Sequence, residues 1–163
     1  MSGRAWKFGD GISTDNIAPG RYFHLRSNLP ELSKHCLEDA REDFTSNVAE
    51  GDFVVAGKNF GLGSSREHAP IIIKMKGIRA IIAKSFARIF FRNCINIGLP
   101  AVMLDTDEIQ DGDRLEIDLS GGKVIDHSTA KNLKFPPLPI EMTSILREGG
   151  LIPFVKKYGD LRF

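Results

Sequence analysis

Three short apolar runs constrain this chain more than any other feature of it. Asp52–Ala56 (DFVVA), Ile78–Ala83 (IRAIIA) and Pro100–Leu104 (PAVML) are built from Val, Ile, Ala, Leu and Phe with scarcely a polar residue among them. A strand with one wet face alternates polar and apolar. A run that is apolar throughout reads as a strand covered on both faces, as in a parallel sheet. Between the runs lie two stretches of helical length, Arg66–Lys76 and Ser85–Ile97, stopped by Gly77 and Gly98. Glycine ends helices because it adopts the left-handed conformation without steric cost. Strand–helix–strand–helix–strand argues for a parallel sheet with right-handed crossovers. The fold class is therefore α/β.

The remainder dresses that core. Ala5–Phe8 is a candidate short strand, and Gly9–Gly20 has the composition of a loop. Leu29–Val48 reads as helical in large part, with Leu32, Cys36 and Leu37 on one face. Asp113–Leu119 alternates, meets Gly121-Gly122, and is followed by Lys123–Asp126, the pattern of a hairpin. Pro136, Pro137 and Pro139 mark an extended connection, Leu138–Glu148 a helix, and the segment after Gly150 a helical tail. The expected architecture is one compact domain over residues 1–163, a parallel core with an added β-hairpin layer.

Charge and cysteine usage narrow the partners. A formal net charge of +1 gives no broad electrostatic case for nucleic acid or an anionic membrane. No apolar run approaches the about 20 residues of a membrane helix. Met1–Asp10 lacks the apolar stretch of a signal peptide, so the chain reads as cytoplasmic. Its two cysteines, Cys36 and Cys94, are far apart, and its four histidines, His24, His35, His68 and His127, are scattered. No metal site is expected from this chain alone, and the thiols read as buried and reduced.

The chemistry concentrates in Gly57–His68, GKNFGLGSSREH. It follows a buried strand and opens a predicted helix, where open α/β sheets bind ligands. Free N–H groups at a helix start, glycines that permit close approach, and the planar fork of Arg66 describe an anion site. It is no P-loop, since Gly63 is followed by Ser64-Ser65-Arg66 rather than Gly-Lys-Ser/Thr. Nor is it a dinucleotide fingerprint, since Arg66 stands at the third glycine position. The competing structural reading is a capping box, Ser64-x-x-Glu67. Ser64 could also act as a base, provided its alkoxide is stabilised by backbone amides and Arg66. That scheme needs no histidine, so His68 is not half of a hydrolase pair, and there is no G-x-S-x-G elbow.

At these residues the sequence resembles a known family, the small subunits of aconitase-type hydro-lyases such as 3-isopropylmalate dehydratase and homoaconitase. These are similar to the swivelling C-terminal domain of aconitase. The resemblance rests on Trp6–Asp10, Ser13–Tyr22, Gly57–Pro70, Arg79–Phe90, Arg92-Asn93, Asn96–Pro100 and Ile145–Leu151, in order over about residues 5 to 160. It implies a swivelling β/β/α domain. It implies that Ser64 removes and returns a carbon-bound proton, that Ser65 and Arg66 hold substrate carboxylates, and that Asp15, with Thr14 beside it, helps order the site. It also implies a cysteine-bearing large subunit, joined in a heterodimer or heterotetramer, that carries the [4Fe-4S] cluster, so that this chain binds no cofactor itself. The implied reaction is dehydration then rehydration of a hydroxy-acid, with the cluster's open iron as Lewis acid and the active site at the subunit interface.

The segment after Gly20-Arg21-Tyr22 selects substrate in that family. Here it reads Phe23-His24-Leu25-Arg26-Ser27-Asn28, about one residue longer than the short form of the loop. Phe23 and Leu25 suit an apolar substituent such as the isopropyl group of isopropylmalate. His24 and Arg26 suit an acidic one such as the extra carboxylate of homoaconitate, and dimethylmalate is a third candidate. A different class also stays open, a non-catalytic anion-binding or regulatory module using the same turn. The full Ser-Ser-Arg triplet together with Thr14-Asp15 argues against it.

Overall fold

The computed structural model describes residues 1–161; the last two residues of the expected 1–163 domain lie outside it. Strands are β1 (Ser2–Lys7), β2 (Phe53–Ala56), β3 (Ala80–Ala83), β4 (Ala101–Met103), β5 (Arg114–Asp118), β6 (Lys123–Asp126) and β7 (Lys131–Lys134). Helices are α1 (Thr14–Ile17), α2 (Leu29–Ser33), α3 (Phe44–Asn47), α4 (His68–Met75), α5 (Arg88–Asn96), α6 (Ile140–Arg147) and α7 (Leu151–Tyr158), with a 3-10 turn over Gly20–Leu25. No helix among the described residues is long and apolar enough to cross a membrane.

The strands form one mixed sheet in the order β4-β3-β2-β1-β5-β6-β7. β1 is the seam. Ala5–Lys7 pairs in parallel with Phe53–Val55, whereas Ser2–Arg4 pairs antiparallel with Arg114–Glu116. The sheet curls there, and the antiparallel half folds over one face of the parallel half. The side chains record this with period two. Phe53, Val55, Ala80, Ile82 and Val102 pack with Leu115, Ile117 and Val124 of the antiparallel strands. Val54, Ala56, Ile81, Ala83 and Ala101 pack with Ile72, Ile73, Phe90 and Cys94 of the helices. Burial on both faces is why these strands read as unbroken apolar runs, and β/β/α is the resulting layer order.

Of the local expectations that change, three matter most. The hairpin gains a third strand, β7, antiparallel to β6. Leu29–Val48 is not one long helix but α2 and α3 joined by turns. Leu37 sits at φ +60° and its amide donates to the Ile17 carbonyl, a tertiary bond that a continuous helix would forbid. The helix expected over Arg66–Lys76 begins at His68, which bears on the site.

Candidate active site

The site stands on three loops that leave the carboxyl ends of β1, β2 and β3. Backbone hydrogen bonds continue between them past the strands. The amide of Gly57 donates to the Gly9 carbonyl, Gly11 to Lys58, Gly61 to Ile12 and Thr14 to Leu62, at 2.7–3.1 Å. On the other side the Phe60 amide donates to the Ser85 carbonyl (3.0 Å) and the Ala87 amide to the Phe60 carbonyl (2.9 Å). Gly61 is held at φ +81°, and a Cβ there would run into the Phe90 ring, so only glycine lets the middle loop lie so close to α5.

This arrangement delivers Thr14 to Ser64. Ser13 caps α1 by accepting from the Asn16 amide at 3.1 Å, while the Asn16 side chain accepts from the Ser13 amide, a reciprocal capping box. With the cap supplied by Ser13, the Thr14 hydroxyl is free to accept from the Ser64 amide at 2.9 Å. Gly63, at φ +113°, makes room: a Cβ on it would lie 2.9 Å from that hydroxyl. Ser64 Oγ in turn accepts from the Arg66 amide at 3.3 Å. The Ser65 carbonyl accepts from Nδ2 of Asn93, a buried residue of α5, at 3.0 Å.

The capping box expected at Ser64 and Glu67 does not form. The residue preceding α4 is Glu67, and no side chain caps that helix. Ser64 lies upstream on an exposed turn, with its hydroxyl turned to the Arg66 amide.

Beside this turn lies a cavity of about 280 Å³, whose lining includes Thr14, Asp15, Phe23, Arg26, Ser64, Arg66 and His68, walled by Leu32 and Ala69. Five of the seven residues named from sequence meet there. Ser65 and His24 do not line it; Ser65 contributes its backbone carbonyl to Asn93, and His24 is exposed on the 3-10 turn. Asp15 faces the cavity, whereas the bond that ties α1 to the serine turn is made by Thr14.

The 3-10 turn is pinned from behind. Arg21 pairs with Glu38 and Asp39 at 2.5 and 2.7 Å, and the Tyr22 ring stacks on His35 at 3.7 Å. Phe23 is left facing the cavity, 46% exposed, with the guanidiniums of Arg26 and Arg66 at 4.3 and 4.6 Å from its ring centroid. Sequence reasoning assigned no role to Asn93 and overlooked the ring contact to Arg66. A polar residue three after Phe90 on the inward face of α5 was a signal for the first; nothing local signalled the second.

The arrangement presents two cations and a hydroxyl held by a backbone amide to one small cavity, a setting for a carboxylate-bearing substrate. Among the described residues the two cysteines do not come together as ligands for an iron–sulfur cluster. Cys36 and Cys94 are buried in the helix-side core, where burial pushes both thiols well above their usual range. Among the described residues no group of three His, Cys, Asp or Glu could hold a metal ion.

A family model for the aconitase C-terminal domain matches residues 11–107. The 3-isopropylmalate dehydratase small subunit 2 of Archaeoglobus fulgidus is 59% identical, over 99% of this chain and 98% of its own length. The small subunit 1 of Thermotoga maritima is 61% identical over 98% and 97%. Among solved structures, the 3-isopropylmalate dehydratase of Methanocaldococcus jannaschii superposes with a TM-score of 0.93 at 48% identity, covering 98% of this chain and 95% of that one.

Proposed function

Because the chain belongs to the aconitase C-terminal domain family, we propose that it is the small subunit of a two-subunit hydro-lyase, 3-isopropylmalate dehydratase, isomerising 2- and 3-isopropylmalate by dehydration and rehydration. Relatives named for that subunit match it end to end. The observation that carries the reading is the bond from the Ser64 amide to the Thr14 hydroxyl, which joins the Thr-Asp and Ser-Ser-Arg segments around one cavity.

In this reading Ser64 takes and returns the carbon-bound proton. Its alkoxide is stabilised by the Arg66 amide, already directed at Oγ. Arg66 holds a substrate carboxylate with its planar fork. Ser65 assists, and Asn93 fixes the turn through the Ser65 carbonyl. Asp15 and Thr14 order the opposite wall. The [4Fe-4S] cluster is assigned to a large subunit, where it would supply the Lewis acid for the leaving hydroxyl. This chain's share is the proton and the carboxylates. The cavity is then completed at the subunit interface, in the cytoplasm.

Arg26 in the lining favours assaying homoaconitate beside isopropylmalate, and dimethylmalate with them. The test is co-expression with a cysteine-bearing aconitase-like large subunit, anaerobic reconstitution, and assay of all three substrates. Turnover only when both chains are present is expected, with isopropylmalate favoured. Absence of turnover from the reconstituted pair, with anion binding retained, would leave the non-catalytic module instead.

A further inference from the structure

An arginine that must receive a substrate carboxylate faces a conflict. Left unheld, it samples many rotamers and binding pays to order it; held by an acidic side chain, it must first give up that partner. Two other arginines of the chain take the second course: Arg21 pairs with Glu38 and Asp39, and Arg41 with Asp43 and Asp111. Among the described residues neither Arg66 nor Arg26 has an ion pair. The Arg66 guanidinium lies instead 4.6 Å from the centroid of the Phe23 ring. A ring attracts a cation through its π face and competes for none of its hydrogen bonds, so the N–H edge stays available to a carboxylate. Phe23 can hold this post because its neighbours are anchored to other partners, Arg21 to the two acids and Tyr22 to His35.

We propose, on the hydro-lyase reading of the site, that Phe23 is a positioning residue: its ring is the seat that orients Arg66 for the substrate carboxylate. The substrate-selecting turn therefore acts on the part of the substrate that all candidates share, as well as on the substituent that distinguishes them.

The experiment uses the chain assembled with its large subunit. Phe23→Leu keeps apolar bulk and removes the π face; Phe23→Tyr keeps both. Phe23→Leu should raise KM about three- to tenfold, the size of a partly exposed cation–π contact, by a similar factor for isopropylmalate and dimethylmalate, with kcat within twofold. Phe23→Tyr should stay near the parent. In an Arg66→Ala background, read from kcat/KM where saturation is out of reach, Phe23→Leu should add nothing further. An unchanged KM in Phe23→Leu would overturn the proposal. So would the same penalty with and without Arg66, or a tyrosine variant as impaired as the leucine one. A parent complex without turnover removes the hydro-lyase reading and this inference with it; a turning-over parent whose variants break the pattern removes the seat alone.

Discussion

Ser64 and Thr14 carry opposite kinds of consequence for one hydrogen-bonded turn. Ser64 caps no helix, so Ser64→Ala should leave the thermal midpoint of the chain nearly unchanged. In the assembled enzyme the same change should lower kcat by about 10²–10⁴-fold, the contribution of a placed proton-transfer group. A complex retaining near-parental kcat would refute the assignment of Ser64 as base. Thr14 is only 7% exposed and accepts the Ser64 amide. Thr14→Val keeps the shape and strands that N–H, which should cost about 1 kcal/mol in denaturant unfolding. Displacing Ser64 should also reduce kcat, by up to about 10²-fold. A stability loss with full kcat would mean that Thr14 holds the loop without aligning the serine.

The antiparallel strands hold a pair of buried acids that gives them a pH dependence of their own. Asp113 precedes β5 and Asp126 ends β6, 8% and 1% exposed. Burial, together with the neighbouring Asp126, pushes the Asp113 carboxyl up. Burial also pushes Asp126 up, but the Thr129 hydroxyl at 2.6 Å and the Ser128 and Thr129 amides outweigh it and hold Asp126 down. A raised folded value means that Asp113 favours the fold below its unfolded value and disfavours it once pH climbs through the folded one. Asp113→Asn should therefore raise stability at pH 7 and confer no gain at pH 3; equal effects at both pH values in thermal melts would contradict the pairing. These strands also show where sequence legibility ends. β2 and β3 were readable because burial on both faces leaves an uninterrupted apolar run, and β4 keeps that run although Met103 at its end is exposed. β7 was not: Lys131–Lys134 places no residue fully inside, so no alternation marks it. Leu29–Val48 had helical spacing, and its long-range tie from Leu37 to Ile17 overrode it. The site residues were legible as a motif, but the ring contact between Phe23 and Arg66 joins positions forty-three apart and leaves no local trace.

For the molecule as a whole, the two thiols report on integrity. Cys36 and Cys94 are fully buried and poorly ionised, so a thiol reagent at neutral pH should label the native chain only slowly and both positions at once on denaturation. Rapid labelling of the native chain would contradict the packing of the helix-side core. The seam at β1 governs how this fold comes into being. On the ribosome the parallel half can be complete once β4 has emerged, while the partner for the outer edge of β1, strand β5, is still to come. At about 5–20 residues per second, the roughly fifteen residues from the end of β4 to the end of β5 take about 1–3 s to translate. For that interval the nascent chain carries an open sheet edge of unpaired N–H and C=O groups, the surface on which strands of neighbouring polysomal chains pair by mistake.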